Sequence, residues 1–173
     1  MRRAVALLLA IPAPAAATEV FAGVAAHDVA IGITTCCYER GADVQFGIRS
    51  APLVRIFAAE VRGQALASVN TRGGVDFATA GVQLRFTLPL VGLYLAPGIG
   101  VAVHDGSGTR FQATPDRLYL GSRFLFAPEV VVGYRVIGPL AVEAAYTHIS
   151  HAQLGGRQNP GLDTLGLRGV VRF

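Results

Sequence analysis

The final part of the chain has the sequence YTHISHAQLGGRQNPGLDTLGLRGVVRF (146–173), in which two alternating stretches flank a loop. Neighbouring side chains of a β-strand point to opposite sides, so Leu165, Leu167 and Val171 share one face of the second stretch. Arg168 falls on the other face. The pattern predicts two antiparallel strands, of which the last has one apolar and one polar face.

The same alternation recurs along the chain and predicts eight strands. We place them at 19–31, 42–50, 63–70, 75–88, 91–104, 118–136, 140–150 and 162–173. The segment Leu53 to Val61 is also compatible with a helical turn, and the sixth strand is expected to be interrupted. Pro97 and Pro128 cannot donate to a ladder and are interpreted as bulges.

The composition favours a surface that meets lipid. The 173 residues are 52% hydrophobic but only 15% charged, and 21 of them are glycine. This length suits one domain with an interior of its own. The net charge is only +4 and no basic cluster alternates with aromatic residues, so nucleic acid is not an expected partner.

The first 17 residues have the features of a secretory signal peptide. Arg2 and Arg3 precede the apolar run 4–11, and Ala15 to Ala17 provide small residues for cleavage. We expect cleavage after Ala17 and a mature domain over 18–173. A short membrane anchor is the alternative, but the run is well below the roughly 20 residues of a spanning helix.

The apolar segment Leu88 to Val103 does not predict a membrane helix, because it contains Pro89, Pro97 and three glycines. A membrane protein without such a helix has to be a closed barrel. The opposite strand faces carry mixed charges that can pair inside it. These predicted inward residues are Arg49, Arg85, Arg123, Glu129, Arg135, Glu143, Arg168 and Arg172. A soluble lipocalin-like barrel would instead need an apolar lumen. We therefore predict an all-β fold, an eight-stranded antiparallel transmembrane β-barrel of the outer membrane.

The connections differ in length at the two barrel ends. Short turns are expected near Pro89 and at Gly138-Pro139, and longer connections over 33–41, 105–117 and 151–161. In barrels of this kind the short turns are periplasmic and the long loops extracellular. The C-terminal hairpin loop is then on the outside of the cell.

Three groups suited to acyl transfer are predicted at that outer end. His148 and Ser150 are two residues apart and share a strand face, and Asp163 begins the next antiparallel strand. A base, a nucleophile and a carboxylate are thus provided by one hairpin. Their parity matches the lipid-facing side, where polar groups are costly unless they pair or serve a function.

The runs His148-Ile149-Ser150-His151-Ala152 and Asn159-Pro160-Gly161-Leu162-Asp163 resemble the signature of the lipid A 3-O-deacylase (PagL) family, also labelled acyloxyacyl hydrolases. That signature is roughly His-x-Ser-Asn-Ala, a loop with Asn-x-Gly, and an acidic residue. Weaker similarity extends through 27–28, 69–70, 104–106 and 120–123.

The resemblance implies a serine esterase that hydrolyses the 3-O-linked acyl chain of lipid A. Ser150 would be the nucleophile, His148 the base and Asp163 the group that orients the histidine. Lipopolysaccharide of the outer leaflet would be the partner, with no cofactor and no metal.

The chain departs from the family pattern at two positions. His151 stands where the family has an asparagine thought to help form the oxyanion hole, and Asp163 stands where better-known members have glutamate. His151 and Asn159 are the oxyanion candidates, although Asn159 before Pro160 also fits a simple turn residue.

Several alternatives remain open at this point. The chain would suit a structural or adhesive barrel of the OmpX type, an inactive family relative or a palmitoyltransferase barrel, and the sequence does not decide whether it forms a homodimer. The neighbours His27-Asp28 and His104-Asp105 are interpreted as separate hydrogen-bonding groups rather than metal ligands. Cys36 and Cys37 suit either an exposed loop or a vicinal disulfide.

Overall fold

The computed structural model describes residues 17–31, 37–106, 118–152, 154 and 159–173. Nine strands lie in these ranges. They are β1 Ala17–His27, β2 Ala42–Ile56, β3 Ala59–Asn70, β4 Phe77–Leu88, β5 Leu93–His104, β6 Phe124–Phe126, β7 Glu129–Ile137, β8 Leu140–Ile149 and β9 Leu162–Arg172. None of the described residues belongs to a helix that is long and apolar enough to cross a membrane. The predicted signal peptide lies outside the described residues except for Ala17, which begins β1.

The strands close into a barrel. Their order is β4-β3-β2-β1-β9-β8-β7-β5-β6, and β4 also pairs with β5. Every pairing is antiparallel, and β6 and β7 both pair with β5 as two pieces of one interrupted strand. The predicted eight-stranded antiparallel barrel is therefore confirmed. The β4–β5 pairing closes the sheet of the described strands, and a closed sheet is the form in which β-structure spans a bilayer.

The interruption between β6 and β7 falls at Ala127-Pro128. The N–H of Ala127 donates to the carbonyl of Gly100 at 2.9 Å, but Pro128 has no N–H to offer. Its carbonyl instead accepts the N–H of His148 at 3.0 Å. Pro97, by contrast, stays in register opposite Val130, so the bulge expected there is absent.

Several predicted element boundaries are wrong, including the starts of the third and sixth strands, which are Ala59 and Phe124 rather than 63 and 118. The helical turn considered for Leu53 to Val61 does not form, because β2 continues to Ile56 and pairs with β3 across a tight turn. Phe57 occupies this turn with a φ of 52°. The first strand ends at His27 rather than Ile31, since Asp28 turns the chain with a φ of 51°.

The apolar strand faces point outward and the polar faces point inward. In β2, Phe46 is 55% exposed whereas Gln45 and Arg49 are buried. The interior is filled by paired charges around Glu19. The Arg85 guanidinium donates to both Glu19 carboxylate oxygens at 2.6 and 2.7 Å.

A second ion pair crosses the interior. Arg49 donates through both terminal nitrogens to Glu143 at 2.7 Å each. Such two-point pairs are the strongest geometry for a guanidinium and a carboxylate. Of the predicted inward charges, Arg123 and Arg135 are exposed, because each lies close to the end of a strand.

Aromatic rings in the interior pack directly against glycines on neighbouring strands. A Cβ atom added at Gly47 would overlap the Phe21 ring, and one added at Gly133 would overlap the Tyr94 ring. The Tyr94 hydroxyl donates to Glu143 at 2.7 Å. These glycines create the space that lets large rings fit inside a small barrel.

The predicted asymmetry of the barrel ends is also present. The connections at the end where β1 starts are 57–58, 89–92 and 138–139, whereas those at the other end are 28–41, 71–76, 105–123 and 150–161. Strand β8 runs towards the end with the long connections. The loop between β8 and β9 therefore lies at the barrel end that has the long connections.

Candidate active site

Tyr146 and His148 lie on the outward face of β8, and Ser150, which directly follows the last residue of the strand, continues this face although it is buried. The intervening Thr147 and Ile149 are buried. Asp163, near the start of β9, is the direct antiparallel partner of His148. The register thus brings together the histidine, serine and aspartate that the sequence singled out.

These three side chains form a continuous chain of hydrogen bonds. The His148 Nδ1 atom lies 2.7 Å from Asp163 Oδ1, and Nε2 lies 2.8 Å from Ser150 Oγ. A carboxylate accepts but does not donate, so Nδ1 carries the hydrogen of a neutral imidazole. Nε2 is then free to accept the Ser150 hydroxyl proton. This arrangement can activate a serine as a nucleophile.

The backbone of Ser150 is held by strand β6. Its N–H donates to the carbonyl of Phe126 at 3.0 Å, and the Phe126 N–H donates back to the Ser150 carbonyl at 2.7 Å. Because Pro128 accepts the His148 N–H, the break between β6 and β7 lies directly beside the hydroxyl and the imidazole. The end of β8 is therefore held by β6 and Pro128 on one side and by β9 on the other.

Asp163 is fully buried although it points out of the barrel. The Tyr146 hydroxyl covers it and donates to Oδ1 at 2.8 Å. The backbone carbonyl of Asp163 accepts the N–H of Val29 at 3.1 Å. Sequence reasoning gave Tyr146 no role, although its position two residues before His148 on the same face was a usable signal.

The two oxyanion candidates lie just beyond Ser150. The backbone N–H of His151 donates to Asn159 Oδ1 at 3.1 Å, and the His151 residue is buried. Ala152 follows with a φ of 49°, a left-handed conformation that turns the chain away from the strand. Asn159 thus ties the two ends of the loop together across residues outside the described ranges.

An apolar surface adjoins the serine on the outside of the barrel. Phe126, which pairs with Ser150, is 43% exposed, and Phe124 is 69% exposed. Leu165, two residues after Asp163 on the same face of β9, is also exposed. These side chains form an apolar surface beside Ser150, which is itself 7% exposed.

The other histidines make separate contacts, as interpreted from the sequence. His27 lies between two carboxylates, with Nε2 at 3.0 Å from Glu39 and Nδ1 at 2.8 Å from Asp43. The neighbouring Asp28 accepts the N–H of Glu39 instead. His104 Nε2 lies 2.6 Å from the carbonyl of Ser122.

Glu39 organises the loops above the barrel. Its carboxylate accepts the N–H of Val75 at 2.6 Å and that of Leu118 at 3.1 Å, besides contacting His27. Burial alone would raise the pKa of this carboxyl, but the three hydrogen bonds and the His27 charge outweigh it and lower the pKa below 4.5. Nearby Cys37 is disulfide-bonded, and Cys36 lies outside the described residues.

Comparison with known proteins identifies the family. The model of the lipid A 3-O-deacylase (PagL) family matches residues 42–172. No curated protein matches the chain. The crystal structure of the outer membrane enzyme PagL is similar with a TM-score of 0.62 and 20% identity, covering 90% of this chain and 99% of that one.

Neisserial surface protein A (NspA) is similar with a TM-score of 0.55 and 14% identity, covering 93% of this chain and all of that one. At such identities the two structures show a shared fold, that of an outer-membrane barrel. The family model goes further, because it spans most of the chain. This chain belongs to the lipid A 3-O-deacylase (PagL) family.

Proposed function

We propose that this protein is an outer-membrane serine esterase that hydrolyses the 3-O-linked acyl chain of lipid A. The observation that carries the proposal is the hydrogen-bonded series Ser150, His148 and Asp163 on the outward face of the barrel. Family membership supports the same reaction and substrate. In the bilayer this face would meet the acyl chains of lipopolysaccharide in the outer leaflet.

The reaction begins with attack of Ser150 Oγ on the ester carbonyl carbon. His148 Nε2 takes the hydroxyl proton, and the Asp163 carboxylate stabilises the imidazolium that results. The tetrahedral intermediate collapses as the bond to the sugar oxygen breaks. His148 gives its proton to that oxygen, which leaves a free hydroxyl on lipid A and an acyl group on Ser150.

Water completes the cycle. His148 accepts a proton from water as its oxygen attacks the acyl-enzyme, and the proton returns to Ser150 Oγ when the fatty acid leaves. The proton transfers of both steps need only the two hydrogen bonds of His148. The oxyanion would need a separate donor, and we assign this role to the side chains of His151 and Asn159, since the His151 backbone N–H is bonded to Asn159 Oδ1.

The surroundings suit an acyl substrate rather than a water-soluble one. Phe124 and Phe126 provide exposed apolar surface beside Ser150, and the neighbouring strands continue it with outward aliphatic side chains. A charged carboxylate on this face would be costly without partners. Asp163 has such partners, and this supports a chemical role for its carboxylate.

A non-enzymatic barrel is the second candidate. One observation favours it: His151 occupies the position of the asparagine in the family signature, and removal of one oxyanion donor costs roughly 10²–10³ in rate. In that case the loops at the outer end would carry the function. His148, Ser150 and Asp163 would then be dispensable.

Mass spectrometry of lipid A separates the two candidates. Lipid A is taken from cells that express the wild type, Ser150→Ala or the control Ser122→Ala, whose hydroxyl contacts only the Phe124 backbone among its described partners. We expect loss of one 3-O-linked acyl chain with the wild type and the control but not with Ser150→Ala. Unchanged lipid A with a folded wild-type barrel would overturn the enzymatic proposal. Deacylation by Ser150→Ala would overturn the nucleophile assignment.

A further inference from the structure

We infer that Tyr146 is a positioning residue, which acts on the reaction by holding Asp163 in place for His148. The inference rests on the proposed esterase function and adds a fourth side chain to its machinery. In the series of hydrogen bonds, Tyr146 contacts Asp163, whereas Ser150 is contacted by His148. Its effect on the nucleophile would therefore pass through the carboxylate and the imidazole.

The sheet register explains how the tyrosine reaches the acid. Tyr146 pairs with Leu165, so Asp163 is its diagonal neighbour on the next strand, and both point outward. Diagonal neighbours in an antiparallel pair are about 7–8 Å apart, within reach of an aromatic side chain. The Tyr146 hydroxyl spans this separation and lies 2.8 Å from Asp163 Oδ1.

One carboxylate oxygen accepts both hydrogen bonds. Asp163 Oδ1 lies 2.7 Å from His148 Nδ1 and 2.8 Å from the Tyr146 hydroxyl. The second donor adds a further constraint on the position of this oxygen. The hydroxyl oxygen also lies 3.4 Å from the carbonyl oxygen of Ile31, in the connection between β1 and β2.

Burial increases the importance of this hydrogen bond. Asp163 has no exposed surface while the Tyr146 hydroxyl covers it, and a buried carboxylate depends on its protein donors. If the hydroxyl is removed, the carboxylate loses a donor at the oxygen that orients the histidine. The imidazole is then held in its reactive orientation less often, and Ser150 is activated less often.

The obvious alternative is that Tyr146 is only an aromatic residue of the membrane interface, as is common in outer-membrane barrels. Tyr134 provides the matched control, since it is an outward tyrosine on the neighbouring strand β7 and is 47% exposed. Among the described residues, no hydrogen bond of its hydroxyl is present. Tyr134→Phe removes the same atom without touching the site.

The test measures activation of Ser150 directly. Folded wild type, Tyr146→Phe and Tyr134→Phe are treated in detergent with a fluorophosphonate probe, which labels activated serines, and their kcat and KM are measured with a soluble ester. For Tyr146→Phe we expect the labelling rate and kcat to fall about 10- to 100-fold with KM unchanged. Tyr134→Phe should match the wild type.

A double-mutant cycle keeps the inference independent of folding effects. In an Asp163→Asn background, Tyr146→Phe should cost little more, because both act through the same carboxylate. Rates are expressed per folded molecule, measured by the altered gel mobility of unheated barrels. A Tyr146→Phe rate equal to the wild type, or fully additive losses in the cycle, would overturn the positioning role.

The same experiment separates this inference from the proposed function. If folded wild type is not labelled at Ser150, the esterase proposal fails and the role of Tyr146 fails with it. If the wild type is labelled and Tyr146→Phe reacts equally fast, only the inference fails. Lipid A is not needed for either result.

Discussion

His148 and Asp163 are direct partners in the β8–β9 ladder, with 2.7 Å between Nδ1 and Oδ1. Residues that face each other in an antiparallel pair have Cβ atoms only about 4.5–5.5 Å apart. A short acidic side chain is therefore sufficient to reach the imidazole from this position.

Asp163→Asn should lower kcat about 10³- to 10⁴-fold, while KM and barrel stability change little. The amide can donate to Nδ1 and so favour the imidazole tautomer that cannot accept the Ser150 proton. The check is steady-state hydrolysis of a soluble ester by refolded protein, with circular dichroism to establish folding. A loss below 10-fold would show that the carboxylate does not orient His148.

Asn159 is expected to act as an acceptor for the loop. Asn159→Ala removes the bond from the His151 N–H and should lower kcat about 10-fold, because the chain after Ser150 loses its tie. Asn159→Asp keeps an acceptor and should retain most of the activity. Kinetics of both variants provide the measurement.

Asn159→Asp also tests whether Asn159 acts as an acceptor. If Asn159→Asp is as inactive as Ser150→Ala while the barrel remains folded, the amide nitrogen is the important group. Asn159 would then have to be treated as a donor to the oxyanion.

Glu39 should make the outer loops sensitive to acid. Its lowered pKa means that the carboxylate stabilises the folded loops fully above about pH 4.5, and that this stabilisation is lost as the pH falls through the folded-state pKa. Hydrogen exchange of the Val75 and Leu118 amides, corrected for intrinsic rate, should accelerate in that range. Glu39→Gln should weaken their protection at neutral pH by about 2 kcal/mol and flatten the pH dependence.

The Asp105 amide is the internal control, because it donates to the Asp76 carbonyl at 3.1 Å and not to Glu39. Its exchange should be unaffected by Glu39→Gln. Equal acid sensitivity in the variant and the wild type would assign the effect to another carboxylate.

Gly133→Ala should destabilise the barrel by about 1–3 kcal/mol, since the new methyl group would overlap the Tyr94 ring in a filled interior. Gly169→Ala is the matched change, because the nearest atom there, the Ala22 carbonyl oxygen, lies at 4.0 Å. The unfolding midpoint of each variant is measured from the change in its gel mobility with temperature. Equal midpoints for the two variants would mean that the Tyr94 ring moves aside at little cost.

The fold was largely predictable because every strand repeats the same two-residue rule. Apolar side chains such as Phe46 alternate with Gln45 and Arg49, and the structure places them outside and inside as the alternation requires. Strand ends were less predictable. Asp28 and Phe57 turn the chain through left-handed backbone conformations that a periodicity argument does not include.

The proximity of Ser150, His148 and Asp163 was predictable from their sequence spacing, since a hairpin with this parity brings them to one surface. Contacts from other parts of the chain were not. Tyr146 reaches Asp163 through the β8–β9 register, and Ser150 is anchored by Phe126 of β6, which ends just before Pro128. Such contacts depend on which strands become neighbours.

The outward direction of Ser150 has a kinetic consequence under the proposed function. A substrate that approaches from the side arrives by diffusion within the leaflet, so turnover would follow its mole fraction in the membrane plane and not its bulk concentration. Dilution of the substrate with inert phospholipid would slow the reaction even at constant total lipid. By the same reasoning, an inhibitor would gain potency by partitioning into the bilayer, whatever its affinity measured in free solution.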